Sequence, residues 1–141
     1  MAEQKIEILE HTADLAVRLT AEDQMQLFKL GAKAVYQLIT ENICLEGEPK
    51  KFPISLQANN IEELLHDWLA EVLYWFQVRQ IIFDDINIEI LTPTHLKIRA
   101  QGKKLNVEKS SFHTEIKAVT YHNLQVEKNQ QGWTATVIFD V

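Results

Sequence analysis

An α+β fold, a mainly antiparallel sheet carrying two packed helices, is what this sequence predicts. Three observations lead there. Two segments place apolar side chains at helical spacing, most of the remaining chain alternates with a period of two, and hairpin-length connections dominate between the alternating segments.

Taken in order, residues 5–9 and 15–20 read as strands. From about residue 22 to residue 40, Phe28, Ala32, Val35, Leu38 and Ile39 fall on one helical stripe, with Thr20 and Asp23 resembling a capping box at its start. Residues 52–58 form the next strand. The second helix is expected over residues 61–77, where Ile61, Leu64, Leu65, Trp68, Leu69, Val72, Leu73 and Phe76 recur on one face. Asn60 with Glu63 three residues later supplies its start, and His66 falls on the face turned to solvent. Ile86, Ile88 and Ile90 then share a strand face, and a turn at Thr92-Pro93-Thr94 leads to Leu96, Ile98 and Ala100. The polar run from 102 to 112 reads as an exposed loop, and 115–127 as a long extended stretch. A turn at Asn129-Gln130-Gln131-Gly132 returns the chain through Trp133, Ala135, Val137 and Phe139. The expected order is ββ-α-β-α-ββ-ββ, one domain spanning residues 1–141.

Composition narrows the function classes. The 141 residues are 46% apolar and 24% charged, ordinary values for a globular protein. A net charge of −6 argues against broad, charge-driven adhesion to nucleic acid or anionic membrane, and no sequence-specific nucleic-acid binding is expected. With one cysteine, Cys44, no internal disulfide forms. The first five residues hold no apolar secretory core, and no apolar run approaches the ~20 residues of a membrane span. A soluble, cytoplasmic protein is the expectation.

Two places carry candidate chemistry. Asp140 and the α-carboxylate of Val141 set two anionic groups side by side at the close of an apolar strand, where they repel each other unless water or a cation intervenes. All-oxygen ligands of this kind suit calcium or magnesium, whereas zinc recruits His or Cys. Asp14, in His11-Thr12-Ala13-Asp14, fits either a turn residue or a ligand. None of the histidines, His11, His66, His95, His113 and His122, has the spacing of a familiar zinc site. On a regular strand His122 shares a face with Ile116, Ala118 and Thr120, so a buried, hydrogen-bonded role competes with a functional one. Lys117, opposite in sign to Glu115, fits a surface ion pair or a phosphate-seeking cation. Glycine-rich phosphate loops, nucleophile elbows and aromatic RNA-binding signatures are missing from the sequence.

Four blocks make the sequence resemble the archease family: His11-Thr12-Ala13-Asp14; the helical block from Ile61 to Tyr74; Glu115-Ile116-Lys117-Ala118-Val119-Thr120-Tyr121-His122; and the terminal Val137-Ile138-Phe139-Asp140-Val141. They occur in the family's order over essentially the whole chain. The resemblance implies a small α+β protein that is not itself a ligase. It implies an activating partner of the RtcB-type, GTP-dependent RNA ligase of tRNA splicing and RNA repair, one that promotes ligase guanylylation, permits multiple turnover and broadens nucleotide use. It also implies a site for a divalent metal, calcium or magnesium/manganese, at Asp14, Asp140 and Val141, with His11 and Lys117 as contacts to the partner. One departure stands out. Where relatives commonly carry an acidic Gly-Glu pair and an Asp, this chain reads Gly102-Lys103-Lys104-Leu105-Asn106, so no ligand is carried over from that loop.

Two other classes compete. A metal-dependent hydrolase would use Asp14 and Asp140 as ligands with His11 or His113 as general base, but no nucleophile or phosphate cradle accompanies them. A general chaperone would need an exposed apolar patch, and helix–sheet packing accounts for the strongest apolar stripes.

Overall fold

A computed structural model describes residues 4–10 and 14–141, so His11, Thr12 and Ala13, with the expectations placed on them, lie outside the described residues. The strands are β1 (Lys5–Glu10), β2 (Asp14–Ala21), β3 (Thr40–Asn42), β4 (Leu45–Gln57), β5 (Ile81–Leu91), β6 (His95–Leu105), β7 (Ser111–Phe112), β8 (Ala118–Val119), β9 (Gln125–Asn129) and β10 (Gly132–Asp140); the helices are α1 (Gln24–Ile39) and α2 (Ile61–Gln77). The α+β class holds, and every strand pairing is antiparallel.

In the larger sheet the order is β1-β2-β10-β8, with β9 also pairing β10. A second sheet runs β4-β6-β5, and β3 pairs with β7. Both helices pack on strands of both larger sheets, so one apolar cluster joins the layers. At the helix crossing, a Cβ on Gly31 would lie 2.8 Å from Leu69 Cδ2, which is why the smallest residue stands there. Trp68, fully buried, donates its indole N–H to the Phe28 carbonyl at 2.9 Å, pinning one helix to the other.

The helix starts show how local chemistry sets boundaries. Asn60 Oδ1 accepts the Glu63 N–H at 2.8 Å, while Glu63 reaches back to the Asn59 N–H at 3.0 Å. At α1 the cap is Asp23 rather than Thr20: its Oδ1 accepts the Gln26 N–H at 2.8 Å, and Thr20 stays buried in β2. A cap of this kind contributes about 1 kcal/mol.

Elsewhere the structure corrects the sequence reading. Residues 102–105 belong to β6 rather than to an exposed loop. Gly102 lies against β5, where a Cβ would come within 2.8 Å of the Ile82 carbonyl oxygen, and Leu105 is buried. The charged residues there hid a strand that is buried on one side only. Strand β4 begins at Leu45 rather than residue 52, and β5 at Ile81 rather than Ile86. A register shift between Ile88 and Ile90 breaks the expected face, leaving Ile88 buried and Ile90 exposed. The stretch from 115 to 127 is not one long strand but holds the two-residue β8 and the start of β9.

Candidate metal centre

Strand β10 has β2 on one side and β8 and β9 on the other. Its register against β2 pairs Leu15 with Phe139, Val17 with Val137, Leu19 with Ala135 and Ala21 with Trp133. These are core residues, with Val17, Leu19, Ala135, Val137 and Phe139 fully buried or nearly so. Side chains on a strand alternate, so the residues between them face the other way. That second row begins with Asp14 opposite Asp140 and continues through Ala16–Ile138 and Arg18–Thr136. The parity that buries Phe139 therefore sets the two carboxylates side by side on the face away from the apolar cluster. Directly opposed residues hold their Cβ atoms about 4.5–5.5 Å apart, and like charges in that position destabilise a sheet.

Asp140 is exposed and Asp14 half-buried. Val141 follows with the parity of Phe139 and packs its side chain against the core, fixing the end of the chain next to the acid pair. Lys117 is exposed, and its main-chain N–H donates to the Asp140 carbonyl at 2.7 Å. The structure thus gathers Asp14, Asp140, Val141 and the Lys117 backbone at one end of β10. Among the described residues, no group of three or more His, Cys, Asp or Glu side chains converges as a metal site. The side-chain donors at Asp14 and Asp140 are all oxygen, and two negative charges of this kind suit a hard divalent cation rather than zinc.

The 115–121 segment beside this centre is held from the helix side. Its only ladder pairs with β10 are Ala118–Asp140 and Val119–Phe139. Gln77 Nε2 donates to the Ile116 carbonyl at 2.6 Å, and His66 Nε2 lies 2.9 Å from the Val119 carbonyl. His66 Nδ1 meets Asp67 Oδ1 at 2.9 Å, the Tyr121 hydroxyl donates to the same oxygen at 3.3 Å, and the two rings stack 3.6 Å apart. His66, expected on the solvent face, is instead largely covered, its side chain 12% exposed. Helical periodicity carries no mark of this, because its acceptor lies far along the chain. His122, in contrast, is exposed, since the chain leaves extended geometry after Val119. Asn123, at φ 49°, carries the turn that follows.

A groove of about 750 Å³ is lined by Lys117 together with Ile39, Phe76, Leu105 and Ile116, among others. No periodicity announces it, because its wall comes from two-residue β7 and the turn before it.

A small α+β protein with opposed carboxylates at the end of a central strand is the class that these features define. The sequence pattern of the archease protein family matches residues 6–141, and the chain belongs to that family. It is 36% identical over 138 residues to the protein archease of Methanopyrus kandleri, covering 96% of this chain and 98% of that one. To the protein archease of Methanosarcina mazei it is 36% identical over 141 residues, covering 97% and 96%. The solution structure of Methanobacterium thermoautotrophicum protein 1598 superposes with a TM-score of 0.75 at 26% identity, covering 96% of this chain and 98% of that one. An archease crystal structure from Thermotoga maritima, described as a possible chaperone, shares the fold at a TM-score of 0.70 and 23% identity, with 94% of each chain covered. No helix among the described residues is long and apolar enough to cross a membrane.

Proposed function

We propose that this protein is a non-enzymatic activator of a GTP-dependent, RtcB-type RNA ligase in tRNA splicing and RNA repair, working in the cytoplasm through a carboxylate-held divalent metal. The observation that carries the reading is the Asp14–Asp140 pair, two like charges placed opposite each other where a sheet ordinarily avoids them. Asp14, Asp140 and the α-carboxylate of Val141 are the residues that would hold calcium, magnesium or manganese. Such an ion, when bound, supplies positive charge toward phosphate oxygens. Strand β10 fixes the two acids at the sheet's end, and the Lys117 N–H on the Asp140 carbonyl restrains the last turn of backbone. The Lys117 ammonium and His11 are proposed contacts to the ligase. A site mouth that handles RNA and GTP is electropositive, and a chain of net charge −6 is matched to it. Bound there, the protein favours the ligase conformation competent for guanylylation.

Single-turnover guanylylation of the ligase, with and without this protein, tests the reading. Acceleration is expected with the native chain and is expected to vanish with folded Asp14→Ala or Asp140→Ala. Full stimulation by both variants removes the acids from the mechanism, and phosphoester turnover by the isolated protein points to the hydrolase instead. Extending the chain beyond Val141 converts its carboxylate to an amide and is expected to weaken divalent-metal binding in calorimetry.

A further inference from the structure

We infer that His66 is a proton-dependent latch: its imidazolium ties residues 115–121 to α2, and loss of one ring proton loosens that strap beside Asp140. This hold does not depend on what the acid pair does. The strap has two edges. Toward β10 it gives N–H groups: Lys117 donates to the Asp140 carbonyl at 2.7 Å and Thr120 to the Ile138 carbonyl at 3.0 Å. The Thr120 hydroxyl reaches the same Ile138 oxygen at 2.9 Å. Toward α2 the strap offers carbonyls, and the helix meets them with side chains, Gln77 at Ile116 and His66 at Val119. Two helix side chains thus satisfy main-chain groups that a further strand would otherwise pair.

The partners of the ring fix its charge. Nε2 faces the Val119 carbonyl oxygen and Nδ1 faces Asp67 Oδ1, both at 2.9 Å. A carbonyl and a carboxylate only accept, so both contacts are hydrogen bonds only when each ring nitrogen carries a proton. Placing the shared proton on Asp67 instead is opposed by the Tyr121 hydroxyl, which donates to that same Oδ1 at 3.3 Å. The charged and titratable groups about the ring are Asp67 with Glu62 and Glu63, one turn back on α2, and Tyr121 from the strap. Glu62 accepts the Val126 N–H at 3.1 Å and Glu63 the Asn59 N–H at 3.0 Å. The helix neighbours are acids, the sign that an imidazolium pairs with. The Tyr121 phenol is pushed above its ordinary range, by desolvation first and then by the Asp67 and Glu63 charges, so it stays a donor across neutral pH.

A neutral ring keeps one N–H and releases the other proton to water. If the remaining proton sits on Nε2, two lone pairs confront each other at Nδ1, and Asp67 turns away with the acceptor of Tyr121. If it sits on Nδ1, the Val119 carbonyl loses its donor. Either way the strap loses a tie to α2. The closed strap is the form that binds the proton, so its hold is complete at low pH and is lost as pH rises through the ring's titration.

Ring-nitrogen NMR of His66, read beside hydrogen exchange of the Lys117 and Thr120 amides in the full chain, tests the latch. At about pH 6 both ring nitrogens are expected to carry protons. Toward about pH 8 one proton is lost, and amide protection, corrected for base-catalysed exchange, falls about tenfold, the worth of one charge-assisted hydrogen bond. Asp67→Asn presents an amide N–H to Nδ1, so a neutral ring satisfies both contacts and the step with pH is expected to disappear. His66→Gln, which keeps one donor for Val119, is expected to lower protection at every pH and to show no step. A ring already neutral at about pH 6 in the native chain overturns the inference. So does protection that stays level while the ring loses its proton, or a step that survives unchanged in Asp67→Asn.

Discussion

The two larger sheets obey different rules. Along β1-β2-β10 the register runs without interruption from Lys5–Thr20 and Trp133–Ala21 to the Asp14–Asp140 pair. The β4-β6-β5 sheet instead shifts register between Glu46 and Lys50, between Phe83 and Asp85, and again between Ile88 and Ile90. In the first sheet the face of every residue follows from its number, so burying Phe139 dictates where Asp140 points, and a slip by one residue would exchange the core for the acids. In the second, each shift re-aims the strand, and no exposed pair is tied so closely to the core. Both sheets support the helices, but only the regular one ties an exposed acid pair to the register of its core.

That contrast can be broken at several points, beginning with the largest effect. Phe139→Ala empties a buried position in the central strand and is expected to cost about 3–5 kcal/mol in urea unfolding, with stimulation of the ligase falling as Asp140 loses its support. A loss under about 1 kcal/mol would mean that the regular register does not rest on core burial. Gly102→Ala probes the other sheet, where the new methyl meets the Ile82 carbonyl oxygen; about 1–3 kcal/mol is expected by the same measurement, with ligase stimulation unchanged. A smaller value would show that the neighbouring shift at Phe83–Asp85 yields to make room.

Tyr36 gives a pH-dependent version. Its hydroxyl accepts the Phe83 N–H at 2.9 Å, and burial, with the Asp84 charge adding to it, pushes the phenol above its ordinary range. The folded state thus resists ionisation more than the unfolded chain. Its contribution is complete below the unfolded tyrosine pKa of about 10 and is lost as pH rises from there, at up to about 1.4 kcal/mol per pH unit. Tyr36→Phe is expected to cost about 1–2 kcal/mol at neutral pH, because the buried Phe83 N–H loses its acceptor, and to flatten the alkaline fall. Parallel pH profiles for both proteins would remove Tyr36 from the alkaline transition. Smallest of all, Arg99→Ala on the exposed face of β6, 3.9 Å from Glu89, is expected to change thermal stability by less than about 0.5 kcal/mol.

Much of this architecture is legible in the sequence. The stripes of α1 and α2, the Asn60 cap, the turns at Thr92–Thr94 and Asn129–Gly132, and the inward row of β10 all follow from local periodicity or turn chemistry. The acid pair was legible only as separate pieces. No local pattern states that β2 pairs with β10, and the family blocks at the two ends supplied the connection. Residues 115–121 depart from the expected long strand for the same physical reason. Their backbone is satisfied in part by Gln77 and His66 on a distant helix, and the period-two pattern of their side chains does not record that.

The place of β10 inside its sheet also sets an order of events during synthesis. Of the described elements it is the last to be made, yet β2, β8 and β9 all wait for it as a neighbour. A nascent chain carrying both helices still lacks the strand that unites its larger sheet, and bringing Asp14 to Asp140 closes a loop that contains every element from β2 to β10. A truncated or stalled product therefore has no paired acids to offer. The two acids meet only once the chain has been translated through Asp140, so their pairing reports that the last described strand has been made.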